Sequence, residues 1–311
     1  MKLVFFGSGA FGLPTLCALS QHHDITAVVS QPDRPAGRKR TLTPTPISQW
    51  AHEHAPDRLL TADDVNAPHC IDHLHSLNSD AWVVIAFGQK LKPELLGSHL
   101  AMNLHASLLP RWRGAAPIAH TILEGDTTTG NSVITLAKRM DAGNILTQSV
   151  RTITPTITAG QLHDALASDG PALVLDVITR FTDGSLREQT QDESAVTLAP
   201  KLSRADAHIN FNDVADICRR RINAYSPWPG VVLNLSGTRI KALRADCSNV
   251  CDSDAKPGSL IDAEQGLLAC GAGTTLQLLD VQPQGKRVMS WSQFIRGHRL
   301  RAPFTVESIE L

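Results

Sequence analysis

The sequence predicts an α/β domain built on a parallel sheet, followed by a smaller all-β domain. Three observations carry that expectation. Short, wholly apolar runs such as Ala81-Trp-Val-Val-Ile-Ala86 alternate with amphipathic stretches through the first half, as strands buried on both faces of a helix-flanked sheet require. The chain then turns polar, with Asp183-Gly-Ser185 and Gln189-Thr-Gln-Asp-Glu-Ser194. Beyond that stretch, short strand-like runs recur between turn residues, the pattern of a small barrel. At 311 residues the chain is long for one core. The expected layout is a 1–182 domain, a 183–204 linker and a 205–311 barrel.

The elements follow in order from local pattern. Lys2–Phe6 reads as a strand, Leu13–Gln21 as a helix, and the β-branched Ile25–Ser30 as a second strand. A long proline-punctuated loop follows. Then come a helix over Ser48–His54, a polar helix over Asp64–Leu77, and strands at Ala81–Ala86 and Met102–His105. Ala116–Leu123 is expected to be helical, and Ser132–Leu136 and Asn144–Val150 to be strands. Leu162, Ala165, Leu166, Leu173, Val174 and Val177 give Gly160–Phe181 the spacing of a long amphipathic helix. In the second half, a basic helix over Asp213–Ala224 precedes strands at Gly230–Leu235, Arg239–Ala245, Gly258–Asp262, Leu267–Cys270 and Thr274–Val281.

Composition excludes several classes. Hydrophobic residues make up 42% of the chain, yet no apolar run approaches the roughly 20 residues needed to span a bilayer. The N-terminus enters a strand at once and lacks the cleavage site of a signal peptide, so a cytoplasmic protein is expected. The six cysteines have no paired spacing and read as buried or inert thiols. His69, His73 and His75 sit in a polar helix without an acidic or cysteine partner at ligand spacing, so no metal is expected. A net charge of −1 means that any nucleic-acid affinity must come from local cationic clusters.

Asn103 and His105 are the first candidate site residues. Two apart on a strand, they project from one face, at the carboxyl end where open α/β sheets place ligands. An amide donor beside an imidazole suits stabilising an oxyanion while managing a proton. From the pair alone, a satisfied histidine and a turn asparagine would account for the residues equally well.

The surrounding residues narrow the choice. Asn103-Leu-His-Ala-Ser-Leu-Leu-Pro110 resembles the signature of the formyltransferase family that uses 10-formyltetrahydrofolate, and Arg113-Gly-Ala-Ala-Pro-Ile118 resembles its methionyl-tRNA branch. Met140-Asp-Ala-Gly-Asn-Ile-Leu146 is similar to the family's Met-Asp-x-Gly-Asp-Ile-Leu, with Asn144 where Asp is usual. Gln31-Pro-Asp-Arg-Pro-Ala-Gly-Arg38 and Pro227-Trp-Pro-Gly230 extend the likeness over nearly the whole chain. The resemblance implies a Rossmann-like formyltransferase domain with an OB-like barrel behind it. It implies a catalytic set of Asn103, His105 and Asp141, a folate site bordered by Ser107, Leu108, Leu109, Pro110, Phe87 and Gly88, and formyl transfer to initiator methionyl-tRNA by a monomer. A folate-dependent N-formyltransferase acting on an amino-sugar nucleotide is the alternative.

Two further stretches carry signals of their own. Gly7-Ser-Gly-Ala-Phe-Gly12 is a literal G-x-G-x-x-G between strand and helix. The acidic residue that should end the next strand is absent, since Val28-Val-Ser-Gln31 runs into Pro32, so no NAD is expected. The Gln31–Ser48 loop carries Arg34, Arg38, Lys39 and Arg40 against one Asp33, stiffened by four prolines. A solvated surface loop would look the same. In the methionyl-tRNA branch a matching basic insertion engages the tRNA acceptor end, which assigns Arg38, Lys39 and Arg40 to tRNA. Arg219-Arg-Arg221, Lys286-Arg287, and Arg296 through Arg301 add cations in the second half.

Overall fold

The computed structural model describes residues 1–37, 40–97, 99–298 and 303–310. Arg38, Lys39, Arg299 and Arg301 lie outside the described residues. By contacts the chain divides into two compact units. The first comprises 1–113, 130–150 and 163–197, and the second 114–129, 151–162 and 198–311. The polar 183–204 stretch, read as a linker, is built into the first unit as far as Thr197. Gln189, for instance, exchanges two backbone hydrogen bonds of 2.8 Å with Ile145.

The first unit holds a seven-stranded sheet. Its order is Ile145–Thr152, Thr128–Thr135, Leu100–His105, Ala81–Ile85, Lys2–Gly7, Asp24–Ser30, Leu59–Thr61. The Leu59–Thr61 edge strand was not foreseen. Pairing is parallel from Leu100–His105 through to the Leu59–Thr61 edge, whereas Thr128–Thr135 runs antiparallel to Leu100–His105. The Rossmann-like sheet is therefore mixed rather than wholly parallel. Central strands bury every residue of Ala81–Ile85 and all but the first of Lys2–Gly7, which is why their sequences are unbroken apolar runs. Trp82, Phe6 and Phe87 pack together on one face, with ring centroids 5.2 and 5.5 Å from Phe6. Helix starts obey proline: Pro46–His54 and Pro68–Ser76 each place Pro first, and the Thr45 hydroxyl caps the former by accepting from the Ser48 N–H at 3.0 Å.

In the second unit six antiparallel strands close a barrel. Thr238–Ser248, Val231–Leu235, Phe304–Ile309, Ser259–Asp262, Leu267–Ala269 and Thr275–Pro283 follow one another. Thr275–Pro283 then pairs back onto Thr238–Ser248. The interior is lined by Leu233, Ile240, Leu260, Leu276, Leu278, Trp291 and Phe294, all buried. Asn223, wholly buried on the Ala215–Ala224 helix, holds the irregular register near Ala245 by bonding both sides of that peptide, at 2.9 and 3.0 Å. The cysteines are all free. Cys70, Cys218 and Cys270 are buried, whereas Cys247 and Cys251 are exposed.

Truncating the barrel core should be costly. Phe294→Ala is expected to lower stability by about 3–5 kcal/mol, and Val288→Ala, at a residue 53% exposed, by less than about 0.5 kcal/mol. Urea denaturation of the two variants checks the contrast.

Candidate active site

Leu100–His105 is a central strand with Ala101, Met102, Leu104 and His105 buried. Its pairing sets Asn103 against Val84 on one side and Ile134 on the other, and His105 against Ser132. Asn103 and His105 therefore share a face, as their spacing predicts. The loops that leave the carboxyl ends of the parallel strands are stitched to each other at this edge. The Ser8 hydroxyl donates to the Phe87 carbonyl at 3.1 Å and accepts from the Gln31 N–H at 3.1 Å, and the Gln31 amide also donates to Phe87.

His105, 6% exposed, donates from Nε2 to the Trp112 carbonyl at 2.8 Å. That bond orients the ring and leaves Nδ1 facing Asp141, whose Oδ2 lies 3.7 Å away. The two side chains are only 7% and 13% exposed. This separation is too long for a hydrogen bond but close for a shielded ion pair. Asp141 comes from a tight turn. Thr135 and Asn144 exchange hydrogen bonds of 2.9 Å at its neck, and Gly143 lies so near the Thr135 carbonyl that a Cβ would sit 1.6 Å from the oxygen. Asp141 itself takes φ 52°, a left-handed conformation that Asp tolerates better than most side chains. Asn144, in place of the acidic residue usual in the motif, donates from its amide to Glu188 at 2.8 Å, which an Asp could not do.

Behind the pair lies a polar cluster that sequence reasoning missed. Arg113 is 5% exposed and Gln191 6%. The Arg113 guanidinium donates twice to Gln191 Oε1, at 3.0 and 2.8 Å, and to Glu193 at 2.9 Å. Gln191 Nε2 donates to the carbonyls of Asp141 and Gly143, at 2.8 and 2.7 Å. Glu193 also pairs with Arg139 at 3.0 Å. The Arg113 guanidinium, aided by Arg139, holds the Glu193 carboxyl below the ordinary carboxylate range. Arg113 stood inside a quoted motif, but glutamines in a polar stretch leave no periodic trace.

The other expected site residues divide by how their side chains are engaged. Ser107 is fully buried, donating its hydroxyl to the Arg111 carbonyl at 2.6 Å, and Leu109 packs with Ile134 and Ile145. The Phe87 ring belongs to the sheet core. Leu108 and Pro110 are half-buried, and Gly88 is exposed, with φ 87°. In the glycine turn, the Ser8 and Gly9 N–H groups both donate to the Ala86 carbonyl, at 3.2 and 3.3 Å, so they do not converge on a phosphate-sized space. A Cβ at Gly7 would lie 2.6 Å from the Phe5 ring and one at Gly12 3.1 Å, so close packing accounts for both glycines.

The basic stretch, read from sequence as a proline-stiffened loop, contains two short antiparallel strands, Arg34–Ala36 and Thr41–Thr43. Arg40 is exposed at their turn with φ 49°; Arg38 and Lys39 lie outside the described residues. In the second unit the Arg219-Arg220-Arg221 cluster faces inward chemically. Arg219 bonds Asp216 and the Pro155 carbonyl, Arg220 bonds Asp216 and the Glu124 carbonyl, and Arg221 bonds the carbonyls of His208 and Asp206. Among the described residues no group of three or more His, Cys, Asp or Glu side chains could hold a metal ion.

A half-buried amide, an imidazole and a shielded carboxylate at one sheet edge can bind an oxyanion and relay a proton. Comparisons with known proteins bear on which reaction uses them. Residues 1–178 match the model of the formyl transferase family, and residues 201–299 match the formyl transferase C-terminal domain. The methionyl-tRNA formyltransferase of Methylococcus capsulatus is 40% identical over 306 residues, 96% of this chain and 98% of that one. The methionyl-tRNA formyltransferase of Salinispora tropica is 37% identical, covering 97% and 98%. Among solved structures, the sugar 3N-formyl transferase WlaRD, crystallised with dTDP and 5-N-formyl-THF, superposes with a TM-score of 0.67 at 15% identity, covering 92% of this chain and 99% of that one.

The buried cluster makes a stability prediction. Arg113→Met leaves the Gln191 carbonyl oxygen without its donors in a buried place, which should cost about 1–3 kcal/mol. Urea titration of the variant measures it, and an unchanged midpoint would show that the cluster relaxes without loss.

Proposed function

The chain belongs to the formyl transferase family, and on that premise we propose that it moves a formyl group from 10-formyltetrahydrofolate to the amino group of initiator methionyl-tRNA. Whole-length similarity to methionyl-tRNA formyltransferases supports the acceptor, while the fold is shared with a sugar enzyme. The observation that carries the chemistry is the shielded His105–Asp141 pair, 3.7 Å apart, on the face that Asn103 shares. No helix among the described residues is long and apolar enough to cross a membrane. The reading implies a cytoplasmic enzyme that works as a monomer.

The mechanism follows from which atoms are engaged. The amine attacks the formyl carbon, and its carbonyl oxygen becomes an oxyanion. His105 Nε2 is committed to the Trp112 carbonyl, so a proton on Nδ1 is the one that can face the oxyanion. The Asn103 amide donates alongside it. Asp141 stands 3.7 Å from Nδ1, near enough to balance positive charge on the ring without capturing its proton in a short bond. The attacking nitrogen loses a proton to Asp141 or to a water held by it. As the tetrahedral intermediate collapses, the bond from carbon to the folate nitrogen breaks and His105 protonates that nitrogen. Leu108, Pro110 and Gly88 supply surface for the folate, while Phe87, Ser107 and Leu109 shape it from within. The exposed hairpin with Arg34 and Arg40, and with Arg38 and Lys39 between its strands in sequence, supplies cations to the acceptor stem. In this reading residues 1–182 carry the chemistry and 205–311 a tRNA-binding barrel, joined through 183–204.

Three outcomes are expected. Incubated with formyltetrahydrofolate, the protein should formylate charged initiator tRNA and leave an amino-sugar nucleotide unchanged; the reverse pattern would move it to the sugar enzymes. Asn103→Ala, His105→Ala and Asp141→Ala should each lower kcat on the order of 10²-fold or more with little change in stability, and near wild-type turnover by His105→Ala would remove the assignment. Neutralising Arg38, Lys39 and Arg40 together should raise KM for tRNA and flatten its log–log salt dependence by roughly one unit per lost contact, leaving the folate KM alone. An unaltered salt slope across a formylation series would mean the hairpin only solubilises.

A further inference from the structure

The proposed chemistry leaves Gln191 without a role, although it is 6% exposed in the middle of a polar, surface-prone stretch. Its amide is fully engaged. Nε2 donates to the carbonyls of Asp141 and Gly143, and Oε1 accepts from Nε and Nη2 of Arg113. The orientation of the amide follows from its partners, since two carbonyls need the NH2 side and a guanidinium needs the oxygen. The two carbonyls it holds belong to the carboxylate's own residue and to the glycine two places on. Glu193, also on Arg113, ties Arg139 on the other side of Asp141.

We infer that Gln191 is a positioning residue for Asp141. This inference rests on the catalytic role proposed for Asp141. Asp141 has a left-handed backbone, so its Cβ direction depends on the turn being held from outside. Gln191 supplies two of those outside bonds and passes them to a buried, charged anchor. Releasing them lets the turn rotate and moves the carboxylate from its place beside Nδ1. A displacement of about 1 Å at a reacting group can cost on the order of 10²-fold in rate. The competing possibility is that Gln191 merely staples its own segment to Arg113, in which case only the Oε1 side matters.

Gln191→Glu separates the two sides of the amide. A carboxylate keeps both bonds from Arg113 and strengthens them by charge, but it cannot donate to the Asp141 and Gly143 carbonyls. The expected result is a folded protein whose melting temperature falls modestly, because two buried carbonyls lose their donor, and a kcat lower by on the order of 10-fold to 10²-fold. KM values for the folate and for methionyl-tRNA should stay within about twofold. Gln191→Met, of similar length, removes both sides of the amide, and wild-type kcat in it overturns the inference equally if the Glu variant does not fold. Combined with Asp141→Asn, the Gln191 substitution should add no further loss, because both act through one carboxylate. Wild-type kcat in the Gln191 variants, beside an impaired Asp141→Asn, overturns the inference alone, as does a double variant whose loss is the product of the two. Wild-type kcat in Asp141→Asn overturns the role of Asp141 and this inference with it.

Discussion

The Arg113 guanidinium is the interaction on which the catalytic half depends. A guanidinium this buried is stable only if its donors are satisfied and its charge balanced. Gln191 and Glu193 do both, at 2.8 and 2.9 Å from Nη2. Because those two partners come from residues 183–197 and the side-chain amide of Gln191 donates to two carbonyls of the Asp141 turn, satisfying one cation fixes three segments at once. The Arg113 N–H adds a fourth tie, donating to the Thr197 carbonyl at 2.9 Å. The neighbouring Trp112 N–H donates to the Thr197 hydroxyl at 2.9 Å, and the Trp112 carbonyl is what orients His105. The same run of chain thus holds the imidazole from one side and the carboxylate from the other. That is how an ion pair 3.7 Å long keeps its geometry without a direct hydrogen bond.

Much of the fold was legible because periodicity reports burial. Lys2–Gly7, Ala81–Ile85 and the long Ala159–Thr182 helix are all where apolar spacing puts them, since each is bounded by residues that must face a core. Elements that bury little left no such mark. Leu59–Thr61 is a three-residue edge strand with no fully buried side chain, and Arg34, Pro35 and Thr41–Thr43 of the hairpin are exposed. Phe304–Ile309 closes the barrel with one buried residue, Val306, in an otherwise mixed pattern, so tertiary pairing outweighs local sequence there. The antiparallel turn of the sheet at Thr128–Thr135 is a matter of chain direction, on which side-chain alternation is silent.

The site divides along the same line. Asn103 and His105 could be read from a two-residue spacing on an apolar strand, because strand geometry alone puts them on one face. Asp141 could not: nothing local ties a turn 36 residues on to the imidazole, and only a motif marked it. Gln191 had neither periodicity nor motif. The role inferred for it rests on partners at sequence distances of 78, 50 and 48 residues. A glutamine in a run of Gln, Asp, Glu and Ser has the composition of a solvated linker, and the difference is made by a buried arginine that the composition does not display. Leu108 to Pro110 were read as one folate border, yet alternate residues of that loop turn inward, as Leu109 does into its cluster with Ile134 and Ile145.

Charge illustrates how far composition can mislead. Arg219, Arg220 and Arg221 form the densest basic triplet in the second half, and each is bound to a carboxylate or a carbonyl of its own unit. A guanidinium already holding internal acceptors would have to break those bonds before meeting a phosphate, so it adds little to counterion release. Lys286 and Arg287 are exposed on the barrel and Arg34 and Arg40 on the hairpin, whereas the exposed Arg296 donates from Nε to the Ser292 carbonyl at 3.1 Å. With a net charge of −1, no general field draws a polyanion to the surface. Affinity for a nucleic acid must then come from the few cations that stand clear of internal partners. Engaged and available arginines are indistinguishable in the sequence, and only the hydrogen-bonding of each guanidinium separates scaffold from contact surface.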